Sequence, residues 1–479
     1  MELERVTENL WELPRRGKMR VPGRIYASES LLPDIRVGKA LEQVINVAWL
    51  PGIVGHSLAM PDIHWGYGFP IGGVAATDPE EGGVVSPGGV GYDINCGVRL
   101  VASRLGLKDV ESRLKDLVYA LFSAVPCGVG SSGATSRLDK TTLGRVARQG
   151  ARWTVDQGMG QPADLSHIEE DGAMDGADPS AVSSRAAERG LDQLGTLGSG
   201  NHFVELDIVE EVFDRAAARS FGLDEGKIAF QIHCGSRGYG YQICEDFLGV
   251  MEKAVKKYRI DLPDRQLACA PVGSPEVDHY LAAFRCAANY AFANRQAIMV
   301  LAQRAMERVL GRGPEDCGWH LVYDVPHNIV KPESHEVDGR RRKLYVHRKG
   351  ATRAFPKGHP ALPADYRSVG QPVLIPGDMG RASFVCVGEA GSLVETFGST
   401  CHGAGRVLSR TQAMKRARGR SIEQELADRG IVVKSRGRST LAEEMSDAYK
   451  DVSDVVNVLH DAGIHRKVAR LRPLGVIKG

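Results

Sequence analysis

A carboxylate and a thiol lie three residues apart in a glycine-rich stretch of this sequence. Asp93 and Cys96 belong to segment 91–99, and residues 87–90 just before it include two glycines. Glycine has no Cβ, so such a loop can bring its backbone close to a ligand. A hard oxygen and a soft sulfur that reach one point suggest a metal site. An isolated Asp-x-x-Cys motif is also compatible with a buried structural cysteine beside a turn.

Four histidine motifs occur further along the chain, each at the end of a predicted strand or in a glycine-containing turn. Their histidines are His202, His233, His327 and His402. A single histidine is more often a hydrogen-bonded polar residue than a ligand, but four such motifs form a recurrent pattern. Asp93, Cys96 and three histidines could bind one or two divalent metals, and the remaining histidine could act as a base or nucleophile.

The spacing alone does not show which histidine is the free one. We select His402, because the Gly-Ala-Gly of residues 403–405 leaves its ring unobstructed and offers backbone amides to a phosphate. Arg237 and Arg406 follow two of the histidine motifs and carry charges suited to phosphate. Metal ligands, phosphate-binding turns and a nucleophilic histidine together predict phosphoryl or nucleotidyl transfer.

The composition is that of an ordinary globular protein. The 479 residues include 61 basic and 59 acidic ones, so any surface that binds nucleic acid must be local. Nine cysteines without a CxxC pair indicate reduced thiols. The N-terminal residues lack an apolar signal core, and no run approaches the ~18 apolar residues of a membrane span. We therefore predict a cytoplasmic protein without a membrane segment.

Several helices and strands must position these residues. Apolar periodicity predicts helices over 108–122 and 279–310, the second closed by Gly311. Asp178 is a predicted N-cap for a helix that ends near Glu188, and Ser453 for one that runs through Leu459 and stops at Gly463.

Short apolar runs at 228–232, 321–323 and 383–387 read as strands, each followed by a Gly, His or Asn cluster. The absence of a steady βαβ alternation disfavours a doubly wound parallel fold. We predict the α+β class, with residues 1–479 forming one large mixed-sheet domain with surrounding helices and a buried metal cleft.

Many motifs of the chain, in order, resemble the RtcB family of RNA ligases, which join an RNA 3'-phosphate or 2',3'-cyclic phosphate to a 5'-hydroxyl. These motifs lie at residues 60–64, 66–73, 93–96, 201–203, 233–238, 327–328, 347–353, 376–380, 402–406 and 475–479. The resemblance extends over most of the chain and implies an RtcB-like fold.

The resemblance implies a three-step reaction that uses GTP and two Mn(II) ions. His402 would attack the α-phosphate of GTP and become guanylylated, and the RNA 3'-phosphate would then take the GMP as an RNA-(3')pp(5')G end. The 5'-hydroxyl of a second strand would attack this end and expel GMP. The RNA would be tRNA halves or other broken RNA, and an archease-like activator is a further candidate partner.

The resemblance also implies a role for particular residues. The metal ligands would be Asp93, Cys96, His202, His233 and His327. The guanylate would contact Asn201, His202, Phe203, Val204, Glu205, His327, Asn328, Pro376, Gly377, Asp378, Met379, Ser383, His402, Gly403, Ala404, Gly405, Tyr449 and Lys478. Glu205 would favour GTP over ATP, because its carboxylate matches the N1 and N2 donors of guanine.

Two residues depart from the family pattern. Asp378 stands where a small hydroxyl residue is expected, and an acidic group there could accept from the nucleoside or repel phosphate. Trp65 replaces an expected polar residue and could alter the RNA channel.

RNA would follow local basic surface rather than the net charge. The predicted contacts are Arg237, Arg348, Lys349 and Arg353, together with the basic run 340–343. The alternative for residues 340–343 is a solvated hairpin tip. Phosphate contacts of this kind would be salt-dependent and largely independent of base sequence.

Two other function classes remain open at the level of sequence. A metal-dependent phosphoesterase or nuclease would use the same ligands without a nucleotide adduct, and an RNA-end binding subunit would keep only a structural metal. His402 and Lys478, which a metal scaffold would not need, favour the ligase. The ligand types do not identify the metal, because a Cys/His site also binds zinc tightly.

Overall fold

The computed structural model describes residues 3–479. The first strands are β1 (Glu4–Arg5), β2 (Leu10–Leu13), β3 (Gly23–Tyr26), β4 (Ile53–His64), β5 (Ile71–Thr77), β6 (Val84–Val85), β7 (Gly97–Gly106), β8 (Phe203–Val212), β9 (Lys227–Cys234) and β10 (Ala270–Pro271). They are followed by β11 (His320–Pro326), β12 (Asn328–Val337), β13 (Arg340–Lys349), β14 (Ala351–Arg353), β15 (Pro372–Ile375), β16 (Ser383–Gly388), β17 (Ser399–Cys401), β18 (Val432–Ser435) and β19 (His465–Lys478).

The α-helices surround the sheets and connect their strands. They are α1 (Leu32–Val37), α2 (Ala40–Val47), α3 (Leu107–Val110), α4 (Leu114–Ala124), α5 (Lys140–Gln149), α6 (Ala151–Asp156), α7 (Ser184–Gly190) and α8 (Arg215–Ser220). The later ones are α9 (Arg237–Lys257), α10 (Pro275–Leu310), α11 (Pro314–Cys317), α12 (Ala390–Glu395), α13 (Arg410–Arg416), α14 (Ile422–Ala427), α15 (Arg438–Glu443) and α16 (Val452–Asp461).

Two large sheets carry most of the strands. The first has the order β1-β2-β3-β4-β5-β13-β12, and the second β11-β7-β9-β8-β19-β16-β15 with β18 beside β19. Most neighbours are antiparallel, whereas β3–β4 and β18–β19 are parallel. The predicted α+β class with mixed sheets is therefore confirmed. The assignment of residues 1–479 to a single domain stays a prediction.

Helix α10 is the central helix of the largest apolar core. Its 36 residues are buried on nearly every side, and α4, α5, α6 and α9 pack around it. The predicted end at Gly311 is confirmed, because this glycine adopts φ +63°. The helix begins at Pro275, four residues before the start at residue 279 that periodicity predicted. Ser274 caps this end by accepting a hydrogen bond from the Val277 amide.

Two predicted helix starts are wrong. Asp178 caps only a 3-10 turn, Pro179–Ala181, because extended backbone at Val182 ends it, and Ser183 then caps α7. Near the C-terminus Asp451, rather than Ser453, caps α16 by accepting from the Ser453 amide. Both cases have two cap-forming residues close together, and the local pattern does not show which one is used.

The predicted helix over 108–122 is divided into α3, a 3-10 turn and α4, and its apolar stripe is buried except at the half-buried Leu114 and Phe122. All nine cysteines are free and buried, in agreement with the predicted reduced thiols. Within residues 3–479, no helix is both long and apolar enough to cross a membrane.

Candidate active site

Four strands of the second sheet bring the predicted metal ligands to one edge. β7 begins directly after Cys96, and β8 begins directly after His202. β9 ends one residue after His233, and β11 ends directly before His327. Because neighbouring strands here are antiparallel, the starts of β7 and β8 lie beside the ends of β9 and β11.

The ligand atoms of the five predicted residues converge at this edge. Cys96 Sγ lies 3.3 Å from His202 Nε2 and 3.2 Å from His233 Nε2. His202 Nε2 lies 2.8 Å from Asp93 Oδ2, and His233 Nε2 lies 3.3 Å from His327 Nε2. The structure therefore brings together residues that are up to 234 positions apart in the sequence, as Asp93 and His327 are.

Cys96 belongs to both of the ligand sets that the geometry defines. One set is Asp93, Cys96 and His202, and the other is Cys96, His233 and His327, with the ligand atoms of each within 4.8 Å of one another. A thiol, imidazoles and a carboxylate are the donors that zinc and other transition metals accept. The residues fit a metal site, and the Cys96 sulfur belongs to both sets of donors.

Burial and neighbouring charges set the protonation of this cluster. Burial lowers the pKa of His233 and His327 well below the ordinary value, and neighbouring histidines lower both further. Both rings are therefore neutral and offer a lone pair to a cation. The pKa of His202 is instead raised well above its ordinary value, because nearby thiols and the Asp93 carboxylate outweigh burial. Burial and the Asp93 carboxylate raise the pKa of the Cys96 thiol to about 12. Metal binding would therefore release a proton from Cys96.

Arg295, a fully buried residue of α10, ties three ligand-bearing segments together. Its guanidinium donates to the Asn95 carbonyl at 2.7 Å and to the Cys234 carbonyl at 2.8 Å, next to two ligands in sequence. It also forms a buried ion pair with Asp324 on β11, which Arg99 shares. The charge cluster thus fixes the ends of the strands from which the ligands project.

Two glycines provide the space in which the ligands lie. A Cβ at Gly198 would lie 2.1 Å from His202 Nδ1, and one at Gly235 would lie 2.3 Å from Asp93 Oδ1. Neither distance is compatible with the present ligand positions. The glycines of these motifs are therefore required by the packing of side chains and not only by backbone turns.

His402 lies beside this cluster and is oriented by Asp62. The Asp62 carboxylate accepts from His402 Nδ1 at 2.6 Å and from the His402 amide at 3.0 Å. Because an ionised carboxylate only accepts, Nδ1 carries the proton, and in the neutral form of the ring Nε2 has a free lone pair. Burial would raise the pKa of Asp62, but His402 and its hydrogen bonds hold it below the ordinary value. Asp62 lies in the family motif at residues 60–64, but its sequence context alone predicts no role for it.

The cluster and His402 open into one pocket of about 330 Å³. Its wall includes all residues predicted to contact guanylate except His202 and Val204. Val204 points the other way, because side chains alternate along β8, and it packs in the core. The ring of His402 lies 4.7 Å from that of His327, so the candidate nucleophile and a candidate ligand share the pocket.

A buried charge network on the pocket wall went unrecognised in the sequence. Glu444 accepts hydrogen bonds from Arg406 Nη1 at 3.0 Å and from the Tyr449 hydroxyl. Its carboxylate also lies 3.4 Å from Lys478 Nζ. Tyr449 and Lys478 are thus held in place by a residue that carries no recognisable motif.

The Asp378 carboxylate is turned towards protein partners. It accepts from the Gly380 amide at 3.0 Å and from the Ser446 hydroxyl, and Arg381 Nε lies 3.1 Å from its second oxygen. This ion pair offsets the charge that would otherwise repel phosphate. Trp65, the other departure, is 60% exposed in the β4–β5 loop.

The structure places the residues predicted to bind RNA in different environments. Lys349 lines the pocket, where its ammonium donates to the Tyr67 and Gly88 carbonyls and burial lowers its pKa to about 7. Arg237 is half-buried and donates to the Thr196 hydroxyl at 3.1 Å, outside the pocket wall. Its RNA contact stays a prediction.

Arg348 and Arg353 are enclosed by protein. Arg348 is fully buried and forms a two-pronged pair with Glu333, and Arg353 is 3% exposed and lies beside Glu170. This burial counts against the RNA contacts predicted for both. The basic run 340–343 lies at the tip of the β12–β13 hairpin, where Arg342 pairs with Asp78.

A pocket that joins a carboxylate, thiol and imidazole cluster to a histidine with a free Nε2 defines a candidate metal-dependent transferase site. The chain belongs to the RtcB family, since residues 43–479 match the model of the family described as tRNA-splicing ligase RtcB. The resemblance read from the sequence motifs is thereby confirmed.

Relatives from archaea and bacteria are similar over their whole length. A protein named tRNA-splicing ligase RtcB from Archaeoglobus fulgidus is 54% identical, over 100% of this chain and 99% of the relative. One of the same name from Thermococcus kodakarensis is 53% identical, with the same coverage. A protein named RNA-splicing ligase RtcB from Mycobacterium tuberculosis is 52% identical over 91% of this chain and 100% of the relative.

Proposed function

We propose that this protein is a GTP- and Mn(II)-dependent RNA ligase that joins RNA 3'-phosphate or 2',3'-cyclic phosphate ends to 5'-hydroxyl ends. The observation that carries the proposal is the placement of His402. Its Nε2 is left free by the Asp62 hydrogen bond, and its ring is in contact distance of the ligand His327. A structural metal scaffold would not need an oriented nucleophile at this point.

In the first step His402 Nε2 attacks the α-phosphorus of GTP. A bond forms between Nε2 and the α-phosphorus. The bond between the α-phosphorus and the oxygen that bridges it to the β-phosphorus breaks, and pyrophosphate leaves. Asp62 keeps the Nδ1 proton in place and stabilises the positive charge that develops on the ring. Asp93, Cys96, His202, His233 and His327 would hold Mn(II), which when bound neutralises phosphate charge.

In the second step an oxygen of the RNA 3'-phosphate attacks the phosphorus on His402. The nitrogen–phosphorus bond breaks and RNA-(3')pp(5')G forms. In the third step the 5'-hydroxyl of the other strand attacks the phosphorus of the 3'-phosphate, loses its proton and expels GMP. Activation is needed because a phosphate monoester has no good leaving group, whereas GMP is one. A cyclic end would first be opened by water to the 3'-phosphate.

Asp62 should be required for the first step. We expect Asp62→Asn to slow guanylylation of His402 by about 10²- to 10⁴-fold, because an amide no longer fixes the tautomer and charge of the ring. Single-turnover formation of the adduct measures the effect. Asp365→Asn is the matched control, since Asp365 also accepts from a histidine, His167, at 2.8 Å but on the surface. A rate within threefold of the unmodified protein would argue against the assigned role.

Glu205 should select guanine. Burial raises the pKa of Glu205 well above its ordinary value and that of Asp207 to about 7, so the pair holds a proton near neutral pH. Hydrogen bonds from guanine N1 and N2 favour the ionised form of Glu205, so a bound guanine would displace the shared proton from Glu205 and its carboxylate would accept from both donors. We expect Glu205→Gln to reduce the preference for GTP over ATP in adduct formation by at least about 100-fold. Glu211→Gln, exposed on the same strand, is the control, and an unchanged preference would contradict the assignment.

An end-joining assay tests the whole proposal. RNA with a labelled 3'-phosphate and a second strand with a 5'-hydroxyl should form one product that retains the label, only with GTP and manganese present. Release of inorganic phosphate without GTP would instead identify a phosphoesterase.

The names of the relatives make tRNA halves the first substrate to try. We place the reaction in the cytoplasm, where nine free cysteines would stay reduced. The need for an archease-like activator stays a prediction.

A further inference from the structure

Three tyrosines form a continuous wall at one side of the pocket. Tyr67 and Tyr92 both line the pocket, with ring centroids 5.4 Å apart in an edge-to-face arrangement. Tyr92 stacks on Tyr241 at 4.9 Å with an interplanar angle of 23°, and Tyr241 is 45% exposed. The wall therefore runs from the interior of the pocket to the surface of α9.

Core packing explains the wall only in part, since Tyr67 and Tyr92 pack against the largest apolar core, and hydrogen bonding does not explain it. All three side chains remain partly accessible, unlike Tyr280 and Tyr290, which are fully buried. Within residues 3–479 none of the three hydroxyls makes a hydrogen bond, whereas the Tyr290 hydroxyl donates to the Gly190 carbonyl.

The position of the wall separates it from the predicted guanylate contacts. Tyr92 directly precedes the ligand Asp93, and the Tyr67 carbonyl accepts from Lys349 Nζ. Gly350, which follows Lys349, packs against His402, since a Cβ at Gly350 would lie 3.0 Å from the imidazole Cε1. The wall thus lies beside the place where the phosphates react, and none of its tyrosines is among the residues predicted for GTP.

One cation at the outer end of the wall suits a nucleic-acid strand that leaves the pocket there, although the acidic Glu245 and Glu252 also lie near Tyr67. The Arg189 guanidinium lies 5.8 Å from the ring centre of Tyr241, and Arg189 is exposed. It can contact a backbone phosphate where the strand reaches the surface. Aromatic rings with nearby cations are the usual platform for unpaired bases, because every base has a stacking face.

We propose that the unpaired base of the nucleotide bearing the RNA 3'-phosphate stacks on the pocket face of Tyr67 and Tyr92, with Tyr241 supporting Tyr92 from behind. This inference rests on the proposed RNA-ligase function. It assigns a binding site for the 3'-terminal base, tolerant of base identity, to residues for which the family motifs predicted no contact.

A double-mutant cycle on binding tests this site. The probes are an RNA that ends in a 3'-phosphate and the same RNA with an abasic terminal nucleotide, each bound to the unmodified protein and to Tyr92→Ala. We expect either change alone to weaken binding by about 5- to 150-fold, the range for loss of one stacked base, and the two together to weaken it little more than one. Tyr92→Phe should bind like the unmodified protein.

Tyr119→Ala is the control, because Tyr119 on α4 has the same 45% exposure as Tyr241 and lies outside the pocket. Independent, additive losses would overturn the stacking site, as would equal binding of the normal and abasic RNA. If Tyr92→Ala does not fold, the unmodified protein still tests whether the terminal base contributes to binding, because the abasic RNA should then bind more weakly than the normal RNA. Failure of the unmodified protein to bind any 3'-phosphate RNA would count against the proposed function itself.

Discussion

Cys96→Ala should lose most of its bound manganese and, with it, all measurable ligation. Cys96 is the residue shared by the two ligand sets, so its removal takes a donor from both. Loss of groups that merely orient a ligand weakens metal binding by about 10- to 100-fold, and loss of a shared ligand should exceed this. Metal analysis after dialysis against Mn(II), together with calorimetric titration, measures the effect.

Cys269→Ala provides the control for Cys96, since Cys269 is equally buried but lies in a separate apolar cluster. It should retain the metal content of the unmodified protein. Retention of full metal content by Cys96→Ala would contradict the ligand assignment. Loss of metal from both variants would indicate a general effect on folding instead.

His402→Ala should abolish the joining of a 3'-phosphate end while sparing the last chemical step. Without its nucleophile the protein cannot transfer GMP, and we expect ligation to fall by about 10⁴-fold or more. An RNA that already carries the (3')pp(5')G end bypasses His402 and should still be joined to a 5'-hydroxyl strand. Rates with the two RNA substrates, measured side by side, separate these steps.

His320→Ala, a change at an exposed histidine, should leave both ligation rates unchanged. If His402→Ala joined the 3'-phosphate RNA at the normal rate, another group would have to be the nucleophile. If it failed equally with the pre-activated RNA, His402 would be needed for folding or for the final step rather than for guanylyl transfer.

Two of the predicted metal ligands, His233 and His327, follow apolar runs at 228–232 and 321–323 that the sequence marks as strands. Cys96 and His327 flank the ends of β7 and β11, and the antiparallel order of the sheet brings such ends together. Alternation along β8 likewise explains why Glu205 faces the pocket while Val204 does not. The full set of five ligands came from the resemblance to the RtcB family, and the sheet geometry explains why its members lie together.

The contacts that orient these residues could not be predicted, because they join distant parts of the chain. Asp62 and His402 are 340 residues apart, and Arg295 reaches Asn95 across 200 residues. Glu444 lies in a polar segment without any distinctive motif. The prediction of two helix starts was wrong for a different reason. Near Asp178 and near Asp451 two residues can each cap a helix, and packing decides which one does.

The formation of a covalent guanylate on His402 is the most direct test of the proposed ligase. The unmodified protein, incubated with α-labelled GTP and manganese and no RNA, should acquire acid-labile label, and His402→Ala should acquire none. Addition of 3'-phosphate RNA should then remove the label from the unmodified protein. Absence of label from the metal-loaded unmodified protein, or equal labelling of His402→Ala, would contradict the proposed mechanism.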